Sequence, residues 1–166
     1  MKVMKKILIA VSAVVILACA GYALWFSANP APEVSFTTLS GQRLSLASLK
    51  GKVVLVNFWA TSCPGCVEEM PQIKRMYQQY SGQGLAVLAV AMSYDPPNYV
   101  ASFVSNNRLP FMVAHDTQGS IAHAFGDIQL TPTTFLIDKQ GRILKSYVGV
   151  MDFKEVHQLI ENGLRA

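Results

Sequence analysis

Two cysteines separated by two residues, Cys63-Pro64-Gly65-Cys66, form the pattern in this chain best suited to chemistry. Thiols at that spacing can close a small disulfide ring, or share a soft metal ion such as Cu(I). A structural zinc site needs a second such pair or suitably spaced histidines. The third cysteine, Cys19, lies far off in an apolar run, and His115, His123 and His157 are scattered, each read as a packed or exposed side chain. A metal site is therefore not expected, and no cofactor is called for. Redox chemistry of the thiol pair is the expectation.

The residues on either side must position that pair. Val53 to Ala60 (VVLVNFWA) is apolar and β-branched, the mark of a strand buried on both faces. Val67 to Tyr80 reads as a helix with Ile73, Met76 and Tyr77 on one face, kinked at Pro71 and ended by Gly82 and Gly84. Cys63 thus stands where a strand hands over to a helix. Unpaired amides and the helix dipole lower a thiol pKa there, and the thiolate is the nucleophile. Cys63 is expected exposed and attacking. Cys66, one turn in, is expected deeper, to resolve the mixed disulfide. Pro64 at the first helical turn costs no hydrogen bond, and with Gly65 it shapes the loop.

Three further positions bear on the site. Glu69 sits one helical turn after Cys66. If buried, its carboxyl would take a raised pKa and could exchange a proton with the resolving thiol; otherwise it is a solvated glutamate like Glu68. Trp59 ends the buried strand and is read first as core, with a place on a substrate-facing lip as the alternative. Pro132, taken alone, is an ordinary turn proline. Tyr94 to Asn98 form a loop after a strand end, where open α/β sheets meet their partners.

Around these elements the pattern alternates. Short strands are expected at Ser35 to Leu39 and Arg43 to Leu46, and a second buried strand at Leu85 to Met92. A helix follows at Tyr99 to Asn106, a strand at Phe111 to Ala114 and a short helix at Ser120 to Phe125. Thr133 to Asp138 and Arg142 to Val148 make a hairpin, and Phe153 to Asn162 the last helix. Strands that first alternate with helices and then close in a hairpin imply an α/β fold: a mixed central sheet with helices on both faces.

The chain has 166 residues and a net charge of +4, room for one ordinary domain. Lys2, Lys5 and Lys6 crowd its start; beyond them eleven Lys and Arg face ten Asp and Glu, a net of +1. No basic surface for nucleic acid is implied. Residues 1–6 read as a cytoplasmic basic segment. Residues 7–26 (ILIAVSAVVILACAGYALWF) read as a transmembrane signal anchor, since twenty uncharged residues span about 30 Å as a helix. A cleaved signal peptide (Ala18-Cys19-Ala20) and a lipoprotein signal (Ile16-Leu17-Ala18-Cys19) are the alternatives. Residues 27–34, with Pro30 and Pro32, read as an extended linker, and residues 35–166 as the folded domain on the far side of the membrane.

Asn57 to Cys66 (NFWATSCPGC), Glu69, Pro71 and Thr131 to Phe135 (TPTTF) together resemble the thioredoxin superfamily. Within it they resemble the membrane-anchored TlpA, ResA and CcmG group, linked to cytochrome c maturation and extracytoplasmic thiol reduction. The resemblance implies a thioredoxin-like fold over residues 35–166, with Cys63 as attacking thiol, Cys66 as resolving thiol and a redox-active disulfide between them. It implies that Pro132 is cis and faces that disulfide, and that the Thr131 backbone pairs with an extended substrate segment. It gives Glu69 the proton-handling role, since Asn57 stands where thioredoxin itself has a buried Asp. Trp59, Ser62, Pro64, Thr131 and Pro132 are the implied substrate-facing residues.

Two departures bear on specificity. Ser62 stands where the family commonly has Trp, and Pro64-Gly65 differs from the commoner dipeptides, so neither substrate preference nor direction of electron flow carries over. The expected activity is a protein thiol-disulfide oxidoreductase acting as reductant on partner disulfides, apocytochrome c among the candidates. It would be fed by a membrane thiol-disulfide carrier and anchored in a bacterial inner membrane with its domain on the periplasmic side. Three rivals share parts of the pattern. A disulfide oxidase or isomerase uses the same motif. A peroxiredoxin-like peroxidase resembles it less, having Thr three residues before its reactive Cys where this chain has Ala60. A copper-binding protein would need Met92, Met112 and Met151 to converge on the thiols.

Overall fold

The computed structural model describes residues 29–166; the basic segment, the apolar run and residues 27–28 lie outside the described residues. Among the described residues no helix is long and apolar enough to cross a membrane. A five-stranded sheet forms the centre. Its strands are β3 (Val53–Trp59), β4 (Leu85–Ala91), β5 (Met112–His115), β6 (Thr133–Ile137) and β7 (Ile143–Val148), in the order β5-β4-β3-β6-β7. β3, β4 and β5 run parallel, while β6 and β7 run antiparallel to their neighbours, so the sheet is mixed as the order of elements implied. A separate hairpin, β1 (Ser35–Thr37) with β2 (Arg43–Ser45), lies ahead of it.

Every residue of β3 and β4 is buried, because each strand is covered on both faces. Alternation divides them. Val53, Leu55 and Trp59 of β3, with Leu136 of β6, pack beneath helix α1 (Pro64–Tyr80), Val100 of α2 (Pro97–Asn107) and Val156 and Ile160 of α4 (Phe153–Arg165). Val54, Val56 and Phe58 face the other way, onto Phe135, the short helix α3 (Ser120–Ala124) and the β1-β2 hairpin. One face therefore carries three helices; the other carries one short helix and the hairpin. On that second face Phe58, Phe125 and Phe135 meet edge-on or tilted, with centroids 4.9–6.1 Å apart.

Element boundaries shift where local hydrogen bonds outweigh pattern. Helix α1 begins at Pro64, three residues ahead of the predicted start, since Cys63 itself is the cap. Pro71 sits inside this continuous helix and withdraws the amide that the Val67 carbonyl would accept. Leu46 to Leu49 form a 3-10 turn where the second short strand was expected to end, with the Ser45 side chain accepting from the Ser48 amide. Helix α2 starts at Pro97, two residues before expectation, and α4 runs on to Arg165. The segment predicted as a linker meets the domain before Ser35. The Ile143 amide donates to the Asn29 carbonyl, the Ala31 amide to the Gly141 carbonyl, and Val34 is buried. Asn29 to Ala31 thereby cover the turn before β7 and its first residue, and the exposed Lys145 of this outer strand pairs with Glu155 of α4.

Phe58→Ala should destabilise the fold by about 3–5 kcal/mol, since it empties the centre of the three-phenylalanine cluster. Urea denaturation of the oxidised protein checks this.

Candidate functional site

The strand-to-helix junction is built in a few residues. Cys63 keeps an extended backbone (φ −95°, ψ 109°), its amide donates to the Ala60 carbonyl, and its carbonyl accepts the first helical bond from the Val67 amide. Pro64 fills the first helical position, where an amide would be unpaired. The Cys63 sulfur then accepts the Cys66 amide at 3.2 Å, a helix cap made by sulfur. Cys63 and Cys66 are joined in a disulfide, with Cα atoms 5.3 Å apart. The two sulfurs differ in environment. Cys63 is half-buried, while Cys66 is fully buried among the core residues of the α1 face.

Pro132 arrives just before β6, the strand paired with β3. The Thr131-Pro132 peptide is cis, and Pro132 faces the motif: a Cβ placed on Gly65 would lie 3.7 Å from the Pro132 ring and 3.2 Å from Val150. The Pro132 carbonyl is taken by the Gly149 amide at 2.7 Å. Thr131 is half-buried, and among the described residues its own amide and carbonyl make no backbone hydrogen bond. Ser62 and Pro64 are exposed beside the disulfide. Trp59 corrects the substrate-facing set. It is fully buried and packs on Phe103 at 5.0 Å, because it points to the helical face of β3.

Glu69 is fully buried. Its Oε1 accepts from the Asn57 side-chain amide at 2.8 Å, and its Oε2 has no hydrogen-bond partner of good geometry. Loss of water raises its pKa from 4.5 to about 7; the Asn57 amide and, more weakly, the Met151 backbone amide pull the other way. The carboxyl is thus poised near neutrality, one helical turn from Cys66.

Two supporting features were not legible beforehand. Asp95, in the loop expected to meet partners, is buried, and its carboxylate accepts from both the Thr61 amide and the Thr61 hydroxyl at 2.6 Å, tying down the turn that carries Cys63. The loop after β7 closes the other flank: Gly149 binds Pro132, Val150 sits against Gly65, and the Met151 amide lies near Glu69. A glycine followed by Val150 and Met151 is the sequence signal of that loop, and in the structure Gly149 takes a left-handed backbone (φ 91°).

Metal binding finds little support here. Met92 and Met112 pack on one face of the sheet and Met151 on the other, so the three sulfurs do not converge. Among the described residues no three His, Cys, Asp or Glu side chains could hold an ion. The histidines stay apart: His123 pairs with Asp127, His157 meets Tyr80, and His115 ends β5. A hollow of 360 Å³ lies at the far end of β3, lined by Pro32, Leu46, Leu49, Val54 and Ile137, away from the disulfide.

The sequence pattern of the Redoxin family matches residues 26–160. The chain belongs to that family. This redoxin is 35% identical over 134 residues to the thiol-disulfide oxidoreductase ResA of Geobacillus thermodenitrificans, covering 81% of the chain and 76% of the relative. It is 37% identical over 133 residues to the thioredoxin-like protein YneN of Bacillus subtilis, covering 79% and 76%. A solution structure from Neisseria meningitidis, assigned provisionally as a thioredoxin, matches with TM-score 0.77 and 44% identity over 84% of this chain and 92% of that one. A thiol:disulfide interchange protein of Chlorobium tepidum matches with TM-score 0.75 and 28% identity, over 82% and 97%. The redoxin is a protein thiol-disulfide oxidoreductase of the thioredoxin superfamily, of the TlpA, ResA and CcmG kind.

Two measurements follow from the buried acids of this redoxin. A carboxyl whose folded pKa lies above its unfolded one costs stability as pH rises from about 4.5 through about 7. The native state keeps a proton that the unfolded chain releases. Urea denaturation of the oxidised protein should show a loss of up to roughly 3 kcal/mol between pH 4 and pH 8, and Glu69→Gln should remove that slope. Asp95→Ala strands the Thr61 amide and hydroxyl, and should cost about 1–3 kcal/mol in the same assay at pH 7.

Proposed function

We propose that this oxidoreductase works as a reductant of disulfides in extracytoplasmic proteins, apocytochrome c cysteines among its substrates. The observation that carries this reading is the asymmetry of the thiol pair: one sulfur reachable at a helix N-terminus, the other sealed beside a buried acid with a pKa of about 7. In the reduced protein, the Cys63 thiolate attacks a substrate disulfide. A Cys63-substrate disulfide forms and one substrate thiolate leaves, taking a proton from solvent. Cys66 then gives its proton to ionised Glu69 and attacks the Cys63 sulfur. The intramolecular disulfide forms and the second substrate thiolate leaves; the substrate has gained two electrons from the enzyme, both of its thiolates take their protons from solvent, and Glu69 returns the Cys66 proton to solvent.

The site supports each role. The free backbone of Thr131 beside cis Pro132 offers one amide and one carbonyl to an extended segment lying across the disulfide. Ser62, Pro64 and Thr131 line that approach. The lysines of residues 1–6 and the apolar run of residues 7–26 support a single-pass anchor in the bacterial inner membrane with the domain on the periplasmic side. There a membrane thiol-disulfide carrier returns the two electrons.

Equilibration with glutathione or dithiothreitol series tests the direction of electron flow. A reduction potential near that of thioredoxin, about −270 mV, is expected; a value toward about −120 mV makes the protein an oxidant and overturns the reading. Mechanism is tested separately. Cys66→Ser should accumulate the mixed disulfide with substrate. Glu69→Gln should slow its resolution about 10–100-fold at pH 7, followed by quenched-flow trapping.

A further inference from the structure

Asn57 is the one polar side chain of β3, and alternation turns it to the same face as Leu55 and Trp59, beneath α1. The antiparallel register of β3 with β6 sets it directly opposite Thr134. Its amide nitrogen donates to Thr134 Oγ1 at 2.9 Å and to Glu69 Oε1 at 2.8 Å. All three side chains are fully buried. Both N–H bonds of the amide are thereby used, while its Oδ1 is buried and makes no hydrogen bond of good geometry. The arrangement treats the two oxygens of Glu69 differently. Oε1 accepts the Asn57 amide, whereas Oε2 is buried and makes no hydrogen bond of good geometry, with the Met151 backbone amide as the other donor near the carboxyl. A carboxyl that accepts at one oxygen carries its proton on the other.

We propose that Asn57 and Thr134 are positioning residues of the redox site: Thr134 locks the Asn57 amide, and the amide confines the exchangeable proton of Glu69 to Oε2. This deepens the proton-handling reading of Glu69 and rests on it. The neutral amide serves where a carboxylate would not. An N–H donor favours the ionised form of Glu69, in keeping with the lowering effect of Asn57 on its pKa, while a second buried carboxylate would repel it.

The test is made on the full chain in detergent micelles, with carbon-13 in the glutamate side chains. The titration of the Glu69 carboxyl is followed by NMR, and resolution of the mixed disulfide is followed against pH. Thr134→Val should raise the Glu69 midpoint by about half a pH unit and Asn57→Ala by about one, as donors are lost from the carboxylate. The pH profile of resolution should move with the midpoint. Thr134→Ser keeps the hydroxyl and should retain the wild-type midpoint. Thermal denaturation establishes that each variant is folded, and Thr134→Ala replaces the valine variant if that one is not. A wild-type Glu69 titration in folded Thr134→Val and Asn57→Ala overturns the proposal. So does a midpoint in Thr134→Ser that moves as far as in Thr134→Val. Glu69→Gln with wild-type resolution rates would instead remove the proton-handling role of Glu69, and the carboxyl titrations would still decide whether Asn57 and Thr134 hold it.

Discussion

The period-two alternation of a strand buried on both faces is the constraint from which this site follows. β3 has no solvent side, so each of its residues must satisfy one of two cores. Where the residue is apolar, the strand simply packs. Where it is Asn57, a polar group enters the layer between sheet and helix α1, and burial obliges it to find partners. The partners are Glu69 from the helix and Thr134 from the neighbouring strand. A one-residue slip of β3 would send Asn57 into the phenylalanine cluster and strip Glu69 of its donor.

The remainder of the site is held by ties between loops, made by backbone and side chain together. The turn after β3 is tied to Asp95 beyond β4, the cis peptide before β6 is tied to Gly149 beyond β7, and Val150 closes on Gly65. Four loops at one end of the sheet therefore meet around the disulfide, each anchored to a strand whose own position is set by the core. The attacking sulfur stands at the rim of this assembly and the resolving sulfur beneath it. The redox pair inherits its geometry from the sheet, not from the flexibility of the loop that carries it.

Much of this was readable from residue types. The thiol pair, the strand before it, the helix after it and the mixed sheet follow from spacing and periodicity, because those signals are local. The late Thr-Pro was legible only through the resemblance of the whole motif set, since a single proline does not announce a cis bond. The Asp95 tie to Thr61 joins residues 34 apart, and the Asn57-Thr134 contact joins residues 77 apart; neither leaves a pattern along the chain. Trp59 shows the limit from the other side. An aromatic ending a strand beside reactive cysteines could belong to lip or core, and only the parity of β3 decides for the core.

β7 bears on how the molecule meets its neighbours. An outer strand with free amides and carbonyls is a template on which a second sheet can grow. Here its first residue is occupied by the chain's own Asn29 to Ala31, and an exposed lysine interrupts the rest. The opposite outer strand is covered as well, since Thr38 bridges to Ala114 and the Leu39 amide binds the Val113 carbonyl. Both borders of the central sheet are thus covered in part, and beside the sulfurs, among the described residues, the Thr131 amide and carbonyl make no backbone hydrogen bond. Covering parts of both borders shortens the edge on which the strand of another chain could add.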